Sequence, residues 1–570
     1  MMNSIGRVTF VSYDKLTFEV SNFEKLKYNL DGYSYIAKGV VDYVTIIDES
    51  NQKFIYQVIK AEDKEQILSK EENSKLDYTG KFDCIPIGII RNNKIEFNLE
   101  SYPFLNNKVY LTTEQEKEII FSIDDTKHSI VLGHIEEKYQ GKISLDKLFS
   151  HHGAVLGNTG SGKSNTVRQI ISEVQKYKTE NLHLHVFDVH EEYQQLVKEE
   201  DKIDVLEDFQ IELNSLGLQD WINLVKPSDL VQLPVLQTAL KISFLLSSNI
   251  ITRKWLKCFL AHTMYNRVQT DAVAKRTKIM SILEGVEING KKDYDSKYGN
   301  LNNFNETQFL ESLVQVMDSE ADNHHEISFL QNKLEGSESK VDSFIDLLEA
   351  LDYTFLLEET RGNSQIRSHC GTLETRIKSI QVRYSVLLTS DTQEDIEYNQ
   401  VTVYDVGRLD DDLLLFFSSY LLKNIFNKCK ISRKSEEEIH IFIFEEAHRY
   451  ISKEKESSAF HELELFKKIA REGRKFGTFL FLSSQRPSEL SSTVLSQCNN
   501  YLIHRIKNNL DLEYMLKTIP YIDSNQLKRV SYLPTGRTFV VGELFPIPIE
   551  IQVVDRKDDK VSTTPSIKYN

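Results

Sequence analysis

Cysteine is scarce and scattered: Cys84, Cys258, Cys370, Cys429 and Cys498 form no CxxC pair and are odd in number. That usage excludes a disulfide framework and a zinc ribbon, and predicts reduced, buried thiols in a cytosol. Long apolar runs are also lacking. The longest, Leu413 to Leu422, is about half a membrane span and contains serines, and the opening MMNSIGRVTF has no basic region followed by an apolar stretch. A cytoplasmic protein with no membrane role is the expectation. An excess of positive charge is missing too: 69 Lys and Arg stand against 85 Asp and Glu, a formal charge of −16. A protein that coats nucleic acid is excluded, although a local basic channel inside an acidic shell is not. No internal repeat and no long low-complexity tract is visible.

What is present is an ordinary globular composition, 40% hydrophobic and 27% charged, over a length that suits two to four domains. From Ile5 to about Phe121 short β segments (RVTFVSY, KLTFEV, YSYIAKGVVDYVTIID, KFIYQVIKA, FDCIPIGIIRN, KIEFNL) alternate with polar turns. They predict a small N-terminal β-barrel over residues 1–125. From Ser129 apolar strands alternate with helical stretches, the pattern of an α/β fold with a parallel sheet. Residues 126–204 and 399–545 read as two parts of one core. Between them, 205–398 has helical periodicity and reads as an inserted helical bundle, with a polar loop at Asp293 to Glu306. Residues 546–570 read as a tail after a closing β-hairpin.

Glycine numbers only 23, which gives weight to Gly157-Asn158-Thr159-Gly160-Ser161-Gly162-Lys163-Ser164. This octapeptide fits GxxxxGK[ST] and lies between the apolar run GAVL and the helical stretch TVRQIISEV, so strand, loop and helix come in the required order. Glycines let successive N–H groups face phosphate oxygens, and the helix adds its positive end. Lys163 supplies a charge between β- and γ-phosphates and the Ser164 hydroxyl can ligate Mg²⁺. Asn165 completes the nucleotide-binding stretch.

A nucleoside triphosphatase also needs carboxylates from a second strand. IFIFEE ends in Glu445 and Glu446: Glu445, where Asp is more usual, is the candidate for the Mg²⁺ shell and Glu446 for activating water. Arg471, Arg474 and Lys475 end a helix just before the strand TFLFLSS. They fit either a structural cap, since cations suit a helix C-terminus, or an arginine finger reaching across a subunit interface. Gln485, at the end of that strand, is placed to sense the γ-phosphate or water.

The series GNTGSGKSNT, FDVHEEY, IFIFEEAHRY, IAREGRKFG and LSSQRPSEL, in this order, resembles the HerA-type ATPases of the HerA and FtsK branch of the RecA-like P-loop fold. The resemblance covers most of the chain and implies an N-terminal barrel, a RecA-like core with an inserted helical bundle, and a C-terminal segment bracing the neighbouring subunit. It further implies a homohexameric ring that hydrolyses ATP with Mg²⁺ and moves double-stranded DNA through its central pore. An effector protein, a nuclease or a sirtuin-like NAD-consuming protein, would dock on the barrel face. Lys163, Ser164, Glu446, Arg471 or Arg474, and Gln485 match motif positions; Glu445 departs from the commoner Asp, and Glu191 stands where the family has glycine. By fold, Lys453, Lys455 and Arg486 are the candidates for pore contacts with DNA, although no basic-aromatic stripe marks them. The Asn- and Lys-rich composition and the FEEAHRY form favour a bacterial anti-phage defence member over one acting in DNA end resection. The alternative is a nucleotide-stabilised scaffold ring that assembles and regulates an effector without translocating DNA. A peptide-unfolding AAA+ ring is disfavoured, because no separate helical lid follows the Gln485 strand.

Overall fold

The computed structural model describes residues 3–30, 33–37, 39–64, 79–97, 100–121, 128–267, 271–293, 305–320, 327–391, 398–431, 438–457, 461–545 and 547–556. Along the first part of the chain run β1 (Gly6–Val11), β2 (Leu16–Val20), β3 (Lys27–Leu30), β4 (Tyr33–Ile36), β5 (Tyr43–Ile47), β6 (Lys53–Lys64), β7 (Thr79–Arg91), β8 (Lys94–Glu96), β9 (Lys108–Leu111) and α1 (Glu114–Phe121). Six of these strands, in the order β2-β1-β9-β5-β6-β7, close into a barrel because β7 pairs back with β2. Closure removes the exposed edges that a short open sheet would present. The segment YSYIAKGVVDYVTIID divides between a side hairpin (β3–β4) and a barrel strand (β5). KIEFNL yields only the edge strand β8, and the barrel is completed by β9, a strand that the turn pattern did not reveal.

Period-2 alternation decides what each barrel strand touches. Val44, Ile46, Phe54 and Tyr56 point into the barrel, while Tyr43 and Ile55 point outward and join Phe121, Ile135 and Tyr139 in the core below. The barrel is therefore packed on the core through its own outer face.

The core contains β10 (Ser129–Ile135), β11 (Tyr139–Ser144), α2 (Leu145–Phe149), β12 (Gly153–Leu156), α3 (Lys163–Val174), β13 (Leu182–Asp188) and β14 (Lys202–Asp204). The insertion follows as α4 (Leu218–Val225), α5 (Gln232–Ser247), α6 (Arg253–Tyr265), α7 (Ala272–Ile282), α8 (Asn305–Glu320), α9 (Ile327–Gly336), α10 (Phe344–Arg361) and α11 (Ile366–Arg383). Its two ends are joined by a parallel pairing of β15 (Ile211–Glu212) with β16 (Leu388–Thr389). Of the expected loop at 293–306, residues 294–304 lie outside the described residues, and Asn305 and Glu306 begin α8. The chain returns through β17 (Val401–Asp405), α12 (Asp411–Ile431), β18 (Ile439–Phe444), α13 (Lys453–Ser457), α14 (His461–Glu472) and β19 (Thr478–Ser484). It continues through α15 (Ser492–Leu495), β20 (Asn500–Ile503), α16 (Asn509–Thr518), α17 (Ser524–Val530), β21 (Arg537–Gly542) and β22 (Ile549–Val553).

These strands form one eleven-stranded sheet, β11-β10-β22-β21-β20-β12-β19-β18-β13-β17-β14. From β20 to β14 neighbours are parallel, and the flank from β11 to β21 is antiparallel. All six strands expected for the core are present, in an α/β P-loop architecture. The hairpin β21–β22 also forms, but β22 lies inside the central sheet between β21 and β10. A boundary at 546 therefore cuts through the core, because Ile549, Ile551 and Val553 are buried in it.

The parallel strands are apolar on both faces, as a sheet covered on both sides requires. On one face Phe187 stacks on Phe444 with ring centroids 4.7 Å apart and meets Tyr404 at 5.4 Å. Phe187→Ala should cost about 3–5 kcal/mol, read as a lowered midpoint in denaturant unfolding. Further back along the same strands a polar chain runs inward from the exposed Glu438: Glu438 Oε2 to His440 Nε2 at 3.1 Å, His440 Nδ1 to His185 Nε2 at 3.0 Å, and His185 Nδ1 to the Tyr404 hydroxyl at 3.2 Å. Burial pushes His440 down to about 4 and His185 further below its ordinary value, so both are neutral in the fold. The unfolded chain takes up these protons below pH 6.5, so this stability is present at neutral pH and is lost as pH falls from 6.5 towards 4. At pH 5 the loss from His440 is about 2 kcal/mol. Unfolding midpoints at pH 7.5 and 5 should show it, with a smaller difference in His185→Gln.

Candidate nucleotide site

The loop after β12 turns on two glycines in left-handed backbone, Gly160 at φ +69° and Gly162 at φ +114°. Gly162 has a second reason to lack a side chain: a Cβ there would come within 3.0 Å of the Gly536 Cα. Neighbouring segments fix the loop backbone. Gly157 N–H donates to Ser484 O at 3.2 Å, Asn158 N–H to Arg505 O at 3.0 Å, and Gly536 N–H to Ser161 O at 2.9 Å. Behind the loop His504 is fully buried, with Nε2 2.8 Å from the Thr166 hydroxyl, and burial beside Lys163 pushes it down to about 3. A neutral imidazole there adds no charge under the phosphate cradle.

Lys163 is buried at the start of α3, and burial pulls it below its ordinary value while Glu446, Glu192 and Glu445 pull it back. Buried polar atoms at the loop and its mouth lack a hydrogen-bond partner: Asn158 Oδ1, Ser161 Oγ and Glu446 Oε2. Unsatisfied buried groups cost free energy, so their concentration at one loop marks a place built to be completed by a polar ligand. A nucleoside triphosphate fits this donor set: N–H groups at a helix start, one lysine and a hydroxyl, Ser164, beside the Tyr193 ring.

Strand order brings the remaining groups together. Because β19 lies between β12 and β18, Gln485 at its carboxyl end falls between the phosphate loop and the Glu446 turn. Thr159 Oγ1 donates to Gln485 Oε1, and Gln485 Nε2 donates to Glu446 Oε1. Glu446 itself is held at φ +47°, and its other oxygen stands 3.4 Å from His448 Nδ1. Carboxylate, amide and loop are thus in line at the crevice outside the strand ends, where open α/β sheets place ligands.

Glu445 does something other than the metal contact expected of it. Its Oε2 accepts from Val189 N–H at 2.8 Å and His190 N–H at 3.3 Å, and its Oε1 is 3.1 Å from His190 Nδ1. Ser164, the other expected metal contact, lies beside Tyr193, whereas the Glu445 carboxylate is occupied as a clasp on the end of β13. Beside it Asp188 accepts from Glu192 N–H at 3.0 Å and Tyr193 N–H at 2.8 Å, and burial next to Glu445 raises it to about 7. Glu191, in the same turn, has φ +56°, a left-handed conformation that explains why glycine suits this position.

Asn165 is likewise redirected. Its amide donates to Val554 O at 2.7 Å and its carbonyl oxygen accepts from Arg556 N–H at 3.2 Å, so the side chain binds the chain beyond β22. Gln169, one turn further along α3, accepts from Arg556 Nε at 2.7 Å and donates to Val131 O at 2.6 Å. A motif cannot show this, because the partners are hundreds of residues away.

Arg471, Arg474 and Lys475 are exposed at the amino end of β19, with Arg474 near His151 ahead of β12. The phosphate loop lies at the other end of these parallel strands, roughly 20 Å away at 3.3 Å per residue. Neither arginine can serve its own subunit's phosphates. Lys453 stands 5.8 Å over the Tyr514 ring, Arg486 pairs with Glu489 at 2.6 Å, and the side chain of Lys455 lies outside the described residues. The pattern assigns no individual role to His504, Thr166, Tyr193 or Asp188, although Thr166 closes GNTGSGKSNT and Asp188 and Tyr193 belong to FDVHEEY.

Residues 130–244 match the family described as "Helicase HerA, central domain". The chain is 24% identical over 479 residues to "Probable helicase MJECL08" of Methanocaldococcus jannaschii, covering 82% of this chain and 78% of that protein. It is 25% identical over 464 residues to "DNA double-strand break repair helicase HerA" of Sulfurisphaera tokodaii, covering 81% and 75%. VirB4 of Thermoanaerobacter pseudethanolicus overlaps 77% of this chain and 99% of its own at 14% identity, with a TM-score of 0.44. Among the described residues no helix is long and apolar enough to cross a membrane. The chain is thus similar to HerA-type helicases, and its phosphate loop and acidic strand end fit a P-loop ATPase. Gln485→Ala, which removes the link between loop and carboxylate, should lower kcat for ATP about a hundredfold with little change in KM, measured by steady-state phosphate release.

Proposed function

We propose that this chain, which carries the HerA helicase central domain, is a Mg²⁺-dependent ATPase that works as a homohexameric ring translocating along or unwinding double-stranded DNA. The observation that carries the reading is the line of Thr159, Gln485 and Glu446 across the mouth of a phosphate loop rich in unsatisfied polar atoms. ATP would seat its β- and γ-phosphates on the loop N–H groups and Lys163, and Mg²⁺, met at Ser164, would neutralise phosphate charge. Glu446 orients and deprotonates the attacking water, through the oxygen that Gln485 leaves free. Gln485, touching both sides, reports whether the γ-phosphate is present.

The placement of Arg471 and Arg474 supports the ring. Both are exposed at the amino ends of the strands, away from their own loop, so a role in stabilising transition-state charge belongs to the neighbouring subunit's site. A ring of six repeats that contact once per interface. The barrel face, on the opposite side of the core from α12 and the bundle, is where an effector such as a nuclease or an NAD-consuming protein would dock, and anti-phage defence is the role we assign to such a pair.

Lys163→Ala and Glu446→Gln should each abolish turnover, by at least 10²-fold, while hexamers persist in mass photometry. Normal turnover in both variants refutes the mechanism. Displacement of a bound roadblock from duplex DNA by ATP separates a motor from a scaffold ring: hydrolysis without displacement favours the scaffold.

A further inference from the structure

We propose that the cleft between α16 and α17 binds the phosphate backbone of nucleic acid; this assignment rests on the DNA-dependent reading above and names the surface that makes the contact. The cleft has a volume of about 780 Å³ and is lined by Arg505, Lys507 and Lys528 against a single acid, Glu513. In a chain with a formal charge of −16 such a local excess is informative. Most other cations in the core are spent: Arg408 on Asp204 and Glu207, Arg449 on Asp411, Arg529 on Glu550, Arg486 on Glu489. Lys507 and Lys528 are exposed and make no ion pair among the described residues, and the Arg505 guanidinium reaches only the Thr535 hydroxyl at 3.5 Å.

The rim adds surface suited to a sugar–phosphate chain. Tyr532 is 79% exposed and its ring borders the lysines, with Leu516 on the facing helix. Flexible ammonium groups grip phosphates as point charges and read no base, so binding here is independent of sequence. Position ties the cleft to the motor. Arg505 carries the carbonyl that holds Asn158 of the phosphate loop, and it directly follows His504, which backs that loop. A shift of the loop with nucleotide therefore moves the floor of the cleft.

The test uses the full chain and a fluorescent duplex, with affinity measured by anisotropy over a range of salt. Each phosphate contact contributes about 0.9 to the slope of log affinity against log salt, so Lys507→Ala/Lys528→Ala should flatten the slope by about 2 for every duplex sequence. Lys507→Arg/Lys528→Arg should restore it, and both double variants should keep the melting temperature and the DNA-free ATPase rate of the parent. If the parent binds duplex and the alanine variant keeps the full slope, the cleft assignment falls and the DNA reading stands. If the parent binds no duplex, both fall. If the alanine variant instead raises KM for ATP, the cleft serves the nucleotide and the assignment is wrong.

Discussion

The hydrogen-bonded pairing of β19 with β12 on one side and β18 on the other is the constraint on which the site depends. It fixes the separation between the phosphate loop and the Glu446 turn at two strand spacings, each close to 4.8 Å. A side chain at the end of β19 is then the group that can touch both. Gln485 is long enough to do so and offers an acceptor to one side and a donor to the other. No loop has to be specially shaped for this, because register alone brings Leu156, Ser484 and Phe444 to the same edge.

The groups legible in the linear chain are those whose partners are near in sequence or are phosphates. Lys163, Ser164 and the glycines could be read because loop chemistry needs them at fixed offsets, and Glu446 because an apolar strand must end before a charge. Glu445 and Asn165 make bonds that their motif positions do not suggest, for one common reason. Each stands at a motif position, yet each has its hydrogen bonds taken by backbone that no local pattern could bring to it: the end of β13 for Glu445, the end of β22 for Asn165. The barrel was legible as a barrel because strand length and turn spacing limit the choice, but one of its strands, β9, is four residues long and pairs with strands dozens of positions earlier.

Charge behaves differently from shape. Acidic excess over the whole chain coexists with a Lys163 that faces carboxylates and with a cation-lined cleft joined to the phosphate loop through the Arg505 carbonyl. The sum of formal charges therefore says little about any one surface. What matters is whether a cation already has a partner, and most arginines here do. An acidic exterior with small unpaired basic sites keeps copies soluble and makes encounters with polyanions salt-dependent.

The polar stripe of α3, Asn165 and Gln169, reaches Val554 and Arg556 across a separation of 389 residues and 387 residues. On a ribosome the phosphate loop emerges early, yet its helix lacks these partners until the far strand follows, on the order of 20–80 s later at 5–20 residues per second. Until then the Asn165 amide faces water or a chaperone. The nucleotide site is thus among the last parts of the molecule to mature, so a nascent chain cannot hold ATP in finished form before the β21–β22 hairpin has been added to the sheet.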